Sequence, residues 1–210
     1  MGRNLGPVCR LCRRESVKLM LKGTRCETAK CPMERQDRNR PPGMFPWRRG
    51  RISEFGIRLR EKQKVKRYYG VLEKQFRIYF RNAERRRGNT GEMLLSLLER
   101  RLDNVIYKMN FAPSHRAARQ IISHGHIRLN GRKCDIPSYS VKQGDRVTFK
   151  MADKTKKLVQ QNLEGEPKAP VQPWLQVDAK NLEGVVVALP TREDVQIPVE
   201  EQLIVEFCSR

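Results

Sequence analysis

The sequence lacks any long apolar run. No stretch of its 210 residues approaches the roughly 18–20 consecutive apolar residues that a membrane-spanning helix needs. The N-terminus has no apolar segment ahead of a small-residue cleavage site, and position 6 is a glycine where N-myristoylation favours serine or threonine. The sequence therefore predicts a soluble intracellular protein that neither enters a membrane nor is secreted.

Acidic side chains are scarce in the first 150 residues. That segment has 37 lysines and arginines against 13 aspartates and glutamates, whereas 151–210 has 7 against 10. The whole chain has a formal charge of +21. Such a surplus destabilises the compact state by self-repulsion unless a polyanion neutralises it. The distribution of charge therefore predicts that a nucleic acid is the main partner and that the first 150 residues bind it.

Motifs of catalysis are also missing. Neither a Ser-His-Asp set, nor a phosphate-binding Gly-rich loop, nor a pair of catalytic carboxylates stands out. The three histidines, at 115, 124 and 126, lie close together in the sequence. We interpret His124 and His126 as exposed polar residues rather than as metal ligands. We therefore expect a binding protein and not an enzyme.

Four of the six cysteines form a pattern that is typical of a metal site. Cys9, Cys12, Cys26 and Cys31 are arranged as C-x2-C, thirteen residues, and C-x4-C. Two such pairs supply the four thiolates of a closed, structural Zn²⁺ site. The pattern predicts a zinc knuckle, while an iron–sulfur cluster, which also uses four thiolates, and metal-free thiols remain alternatives. Cys134 and Cys208 are interpreted as ordinary packed thiols.

Periodicity and turn residues predict the elements that follow the knuckle. A Pro- and Arg-rich connector over 38–50 leads into two helices over 53–69 and 72–87, and the first of these has a row of cations on one face. A single helix over 91–109 and a second one capped by Ser114 come next. Short strands are predicted over 126–129 and 132–134, where Asn130-Gly131 favours a hairpin, and over 146–150, 184–189 and 203–207.

These elements predict a mainly helical α+β protein. We expect a domain over 1–90 with the zinc knuckle, the basic connector and helices, and a small helix-and-sheet nucleic-acid-binding module over 91–155. A linker and a small β extension follow over 156–198, and a terminal strand over 199–210 packs on the first domain. The candidate nucleic-acid contacts are Arg10, Arg13, Arg14, Lys22, Arg48, Arg49, Arg58, Lys62, Lys66, Ser114, Arg116, Arg119, Gln120, Arg128, Arg132 and Lys133.

The segments RLDNVIYKM and APSHRAARQIISHGHIRLNGRKCDIPSYSVKQGD resemble the RNA-binding domain named after ribosomal protein S-four (S4). The segments GPVCRLCRRE, RLREKQKVKRYYG and EQLIVEFCSR resemble the bacterial-type S-four family, in its four-cysteine, zinc-carrying form. The resemblance implies a primary binder of small-subunit ribosomal RNA that nucleates assembly. It also implies neighbours of the S-five and S-three families, messenger RNA near its path into the ribosome, an influence on decoding accuracy, and a place in cytoplasmic or organellar ribosomes.

The acidic C-terminal segment predicts a surface that contacts another protein. Glu200 and Glu201 are candidate protein contacts, and a merely solvated acidic surface is the alternative.

Pseudouridine synthases have a similar RNA-binding module, but here Asp103 of the RLD motif falls inside a predicted helix and too little chain remains for a catalytic domain. Duplex-DNA regulators usually insert one recognition helix, whereas cations spread over several elements suit folded RNA.

Overall fold

The structure is a computed structural model that describes residues 4–44, 50, 52–150, 153–164 and 170–209. The chain forms two compact units, Met1–Leu94 with Gln196–Arg210, and Leu95–Val195. The described elements, in chain order, are α1 (Cys9–Glu15), a 3-10 helix (Gly23–Glu27), α2 (Glu54–Tyr68), α3 (Glu73–Glu84), α4 (Thr90–Glu99), α5 (Leu102–Lys108), α6 (His115–Ser123), β1 (Ile127–Leu129), β2 (Arg132–Lys133), β3 (Arg146–Phe149), α7 (Asp153–Glu164), β4 (Leu175–Asp178), β5 (Glu183–Val186) and α8 (Glu201–Cys208).

The first unit is helical, and its two predicted long helices are present. The Ser53 side chain accepts the N–H of Gly56 at 3.2 Å and so caps the first turn of α2. Helix α3 buries one stripe at helical spacing, formed by Phe76, Tyr79, Phe80 and Ala83. The apolar period thus fixes which side of α3 faces the core.

The C-terminal segment packs in the first unit as a helix, so the strand predicted over 199–210 is wrong. Helix α8 lies against α2 and buries Ile204 completely. The rings of Phe207 and Phe55 are 5.2 Å apart. Apolar residues at 203, 204, 205 and 207 fit a strand period and a helix period equally well. Packing against α2 favours the helix, because it brings Ile204 and Phe207 to one side.

The helix predicted over 91–109 is broken into α4 and α5. The N–H of Leu102 donates to the carbonyl of Tyr139 at 2.8 Å, and the N–H of Asp103 donates to that of Pro137 at 3.1 Å. Arg101 forms an isolated antiparallel bridge with Ser140. These backbone donors bond to a distant segment, so a continuous helical ladder cannot pass residue 101.

The second unit has a five-stranded antiparallel sheet in the order β2-β1-β3-β5-β4. Asn130 and Gly131 have positive φ angles of 50° and 80°, which a tight β1–β2 turn requires, so the predicted hairpin is confirmed. Strand β5 pairs with β3, and the predicted β extension over 156–198 is therefore part of the same sheet. The core of the unit lies between the sheet and helices α5 and α6, with Ile106, Ile122 and Val147 fully buried.

Candidate nucleic-acid interface

Helix α6 presents a polar face whose position is set by its N-cap and its buried stripe. The Ser114 Oγ accepts the N–H of Ala117 at 3.3 Å, as the sequence predicts for an N-cap. Ala118, Ile121 and Ile122 are buried, which turns Arg116 and Gln120 outward, where both are exposed. Arg116 in the first turn and Gln120 one turn later therefore place a guanidinium and an amide on one accessible face of the helix, next to the N–H groups of its first turn.

Arg119 has different surroundings from Arg116, which the sequence pattern does not reveal. Its side chain is 15% exposed, and its Nη1 lies 3.7 Å from Oδ2 of Asp103. Asp103 is itself nearly fully buried and accepts two hydrogen bonds from Arg101, at 3.0 and 2.6 Å. Arg119 is therefore not a fully exposed cation like Arg116, because its guanidinium completes a buried ion-pair cluster.

A buried polar network fixes the start of α6. The Asn104 amide donates to the Glu99 carbonyl at 2.9 Å and to the Glu99 carboxylate, and its Oδ1 lies 2.9 Å from Nε2 of His115. The His115 ring stacks on Tyr107 with centroids 4.2 Å apart. Asn104 and Glu99 are both fully buried. The signal in the sequence was the set of polar residues inside an otherwise apolar stripe, but their partners could not be read from it.

The imidazole in this network is neutral. Burial, together with the positive charges of Lys108 and Arg101, lowers the pKa of His115 to about 3. Burial also lowers the pKa of Lys108. A neutral ring whose Nε2–H donates to Asn104 holds the first residue of α6 without placing a buried charge there.

The β1–β2 hairpin presents three cations next to α6. Arg128, Arg132 and Lys133 are exposed, and Arg128 pairs across the ladder with Lys133. A Cβ at Gly125 would meet the Lys133 side chain, with its Nζ 3.2 Å away, so this lysine lies over the end of α6. Gly125 has φ +74°, which accounts for glycine at a position where a bulkier residue is strained.

A side-chain clamp holds the tip of the hairpin. The Asn130 amide donates to Oδ1 of Asp145 at 2.9 Å, and its Oδ1 accepts the N–H of Arg146 at 2.9 Å. The other oxygen of Asp145 accepts the N–H of Lys142 at 2.7 Å. Asp145 is therefore a positioning residue, since it ties the turn to the loop that precedes β3.

The predicted cationic face of α2 is directed towards other parts of the first unit. Arg58 forms ion pairs with Glu206 at 2.7 Å and with Glu54 at 3.0 Å. Lys62 and Lys66 both bind Glu73, and Lys62 Nζ also lies 4.8 Å from the centre of the Phe207 ring. The side chains of Lys62 and Lys66 are only 7% and 12% exposed. These carboxylates account for the row within the protein itself, and its contact with nucleic acid stays a prediction.

Glu73 is the centre of that cationic row. Partial burial by itself raises the pKa of its carboxyl group, but the hydrogen bonds from Lys62 and Lys66 and their charges outweigh this and lower the pKa to about 2. The carboxylate therefore stays ionised and neutralises two lysines that the sequence pattern predicts to contact nucleic acid.

The four N-terminal cysteines line one small cavity together with Lys18, Lys22, Leu21 and Met33. Cys12, Cys26 and Cys31 are buried, and Cys26 Sγ accepts the N–H of Lys22 at 3.3 Å. Burial raises the pKa of Cys12, and the charges of the three neighbouring sulfurs raise it further. Within the described ranges, no group of three or more His, Cys, Asp or Glu side chains is arranged so that it could hold a metal ion. The zinc knuckle itself is therefore not shown.

The cations around the cysteines differ in their solvent exposure, which the sequence does not show. Arg10, Arg14 and Lys22 are exposed, whereas Arg13 is half-buried. Glu15 has a fully buried carboxylate that binds Arg60 and Arg67 of α2, which ties α1 to α2. Burial raises the pKa of Glu15 against the lowering effect of those two arginines. Arg48 and Arg49 lie outside the described residues.

The two acidic candidates for protein contact begin α8. Glu200 is exposed, and its backbone N–H donates to the Glu61 carboxylate at 3.4 Å. Glu201 is half-buried in the first turn of α8, and its side chain lies against Gly91, where a Cβ would approach its Cγ to 2.7 Å. Glu200 is therefore the more accessible of the two.

Among the described helices, none combines the length and the apolar character that a bilayer span requires.

Comparison with known proteins covers the whole chain. Residues 3–99 match the family model described as the ribosomal protein S4/S9 N-terminal domain, and residues 100–147 match the S4 domain. The chain is 52% identical over 210 residues to the small ribosomal subunit protein uS4 of Thermodesulfovibrio yellowstonii. It is 51% identical over 211 residues to that of Thermus thermophilus and 54% identical over 210 residues to that of Halothermothrix orenii. Each alignment covers 100% of both proteins.

Proposed function

The chain belongs to the family of the small ribosomal subunit protein uS4, and from this membership we propose how it binds ribosomal RNA. The members of this family are structural, RNA-binding proteins and not enzymes. The polar face of α6 and the β1–β2 hairpin form the phosphate-binding surface of the second unit. This assignment is supported by the contact between the two elements, since Lys133 of the hairpin lies over Gly125 at the end of α6.

The chemistry of this surface is recognition of an irregular phosphate backbone. Arg116 offers a planar guanidinium that binds phosphate in a bidentate manner, and the first turn of α6 adds N–H donors and the positive end of the helix dipole. Arg128, Arg132 and Lys133 extend the positive surface along the hairpin. The buried Asn104–His115 network and the Asn130–Asp145 clamp hold both elements before RNA arrives, so little ordering is required on binding.

Filter binding tests this proposal. The protein is titrated with small-subunit ribosomal RNA and with duplex DNA of equal length at several salt concentrations. We expect tighter binding of the RNA. An Arg128→Gln/Arg132→Gln variant should lose affinity and salt dependence, whereas a Lys157→Gln/Lys180→Gln control, which removes two exposed cations elsewhere in the same unit, should lose little. Equal losses in the two variants would refute the assignment of the surface.

We propose further that Cys9, Cys12, Cys26 and Cys31 hold one Zn²⁺. Four thiols around one cavity are the donor set that Zn²⁺ prefers, and they leave no open coordination position, so the ion would supply a structural cross-link between the two cysteine pairs. Bound metal requires deprotonated thiols, so acid or a chelator should release it and loosen the segment around 9–44. Elemental analysis that finds no zinc, or finds iron together with a visible charge-transfer band, contradicts the proposal.

The remaining roles of the family form a third proposal. We propose that the protein nucleates assembly by early binding to ribosomal RNA in the cytoplasmic small subunit. We also propose that Glu200 and its acidic surroundings bind neighbours of the S-five and S-three families near the path of messenger RNA, with an effect on decoding accuracy. Glu200→Lys should leave RNA affinity of the isolated protein unchanged or slightly raised, but weaken binding of a purified S-five protein. A several-fold loss of RNA affinity would contradict this division of roles.

A further inference from the structure

Two sets of cations on α2 and at the end of α3, both in the first unit, differ in their partners. Those along α2 are neutralised inside the protein, since Arg58, Lys62 and Lys66 all have carboxylate partners. The C-terminal end of α3 and the turn after it are different. Four arginines there are exposed, and none has an ion pair or side-chain hydrogen bond within the part of the chain that the structure describes; they are Arg81, Arg85, Arg86 and Arg87.

The fold directs these arginines outward. Because Phe76, Phe80 and Ala83 occupy the core side of α3, Arg81 and Arg85 lie on the opposite side within about 40° of each other and roughly 6 Å apart along the axis. The N–H of Arg86 donates to the Ala83 carbonyl at 3.1 Å, and Gly88 turns the chain away with φ +116°. The cluster therefore has a defined backbone rather than the freedom of a tail.

Stability of the helix alone does not account for the cluster. Cations in the last turn interact favourably with the helix dipole, but that effect is about 0.3–1 kcal/mol and falls off within one turn. Glu84 is the one carboxylate in the segment Arg81 to Arg87, and it forms no ion pair with a described residue. Four like charges so close together repel one another in the free protein, and a polyanion relieves that repulsion.

We infer that the cluster Arg81, Arg85, Arg86 and Arg87 is a second binding site for the RNA phosphate backbone, in the first unit and separate from the α6 and hairpin surface. This inference rests on the proposed function, because it names a further site for the same ligand. The ligand is a phosphodiester chain, which is bound through paired guanidinium forks without base selection. An acidic protein segment would be the alternative occupant, and the experiment below distinguishes it.

The test uses the full-length protein and small-subunit ribosomal RNA over a range of salt concentrations. Arg81→Gln/Arg85→Gln removes two charges of the cluster. The matched control Lys157→Gln/Lys180→Gln removes two exposed charges elsewhere. The cluster variant should lose about tenfold in affinity near 0.1 M salt, and its slope of log Kobs against log salt should fall by about 1.5, as expected for two lost phosphate contacts. Arg81→Lys/Arg85→Lys should keep most of the slope, because it keeps the charge.

Each outcome separates this inference from the proposal on which it rests. If the cluster variant binds RNA like the control while the unmodified protein binds RNA tightly, the second site is refuted and the proposed function stands. If the unmodified protein does not prefer ribosomal RNA, the proposed function itself fails. Circular dichroism at 222 nm confirms that the helices are intact. Loss of binding to a purified ribosomal neighbour with RNA affinity unchanged overturns the inference in favour of a protein ligand.

Discussion

At the scale of single residues, two arginines one turn apart on α6 have separate roles. Arg116 is exposed, whereas Arg119 completes the buried cluster around Asp103. Arg116→Ala should change the free energy of unfolding by no more than about 0.5 kcal/mol and lower the salt slope of RNA binding by about one unit. Arg119→Ala should cost about 1–3 kcal/mol, because it removes a partner of a buried carboxylate.

Urea denaturation of the two variants and filter binding at several salt concentrations measure both effects. Ser123→Ala serves as a control, because Ser123 is exposed on the same helix, has no charge and is not among the candidate contacts. Equal stability of the Arg116 and Arg119 variants would show that the contact with Asp103 contributes nothing to folding.

His115 should give the protein a specific response to acid. Its pKa is lowered to about 3 by burial and by the charges of Lys108 and Arg101, while the unfolded chain has the ordinary value of 6.5. Between these two values the unfolded state binds more protons than the folded state, so stability falls as the pH drops from about 6.5 towards 3. Above pH 6.5 the imidazole is neutral in both the folded and the unfolded state, so His115 no longer makes the stability depend on pH.

His115→Gln keeps a side-chain N–H donor for Asn104 but cannot take up a proton in this range. Plotted against pH, the free energy of unfolding should therefore decline less steeply below pH 6.5 in this variant than in the unmodified protein. The exposed His124→Gln is the matched control. Nuclear magnetic resonance should also find the His115 ring neutral from pH 8 to pH 5, and protonation within that range would contradict the burial argument.

At the scale of secondary-structure elements, α8 is a structural part of the first unit. Ile204 is fully buried against α2, and Arg58 and Lys62 of α2 contact Glu206 and Phe207. Ile204→Ala should destabilise the protein by about 2–4 kcal/mol, because it leaves a cavity between the two helices. Gln202→Ala, at an exposed position of the same helix, should change stability by less than about 0.5 kcal/mol.

Chemical denaturation followed by circular dichroism measures both α8 variants. If the Ile204 variant were as stable as the Gln202 variant, the packing of α8 on α2 would contribute no stability. RNA binding through α6 should be retained in either variant under conditions where the protein is folded, since those contacts belong to the second unit.

At the scale of the whole molecule, the charge of +21 predicts opposite salt effects on folding and on binding. Exposed cations repel one another in the free protein, and salt screens that repulsion within a Debye length of about 10 Å at 0.1 M. The Tm of the free protein should therefore rise by a few degrees between about 20 and 200 mM sodium chloride, while RNA affinity falls steeply. A Tm that falls with salt would mean that internal ion pairs outweigh the repulsion.

Features that depend on residues close together in the chain can be predicted from the sequence. Ser53 and Ser114 mark the starts of α2 and α6, Asn130-Gly131 marks the hairpin, and the apolar stripe of α3 marks its buried side. The distribution of charge predicts a nucleic-acid partner and the resemblance indicates the family, because both are properties of the chain and not of its fold. The exposed members of the candidate interface on α6 and the hairpin follow from these local rules.

Features whose partners are distant in the chain become visible in the folded protein alone. The break between α4 and α5 depends on carbonyls near residue 139, and the helical state of α8 depends on its packing against α2. Arg58 looks like a solvent-facing cation until Glu206, 148 residues away, comes within 2.7 Å. Periodicity shows which face of an element is polar, but it does not show which opposite charge will meet that face. The sequence pattern therefore predicts RNA contacts for the α2 row but cannot show that the fold gives each of its cations a carboxylate partner.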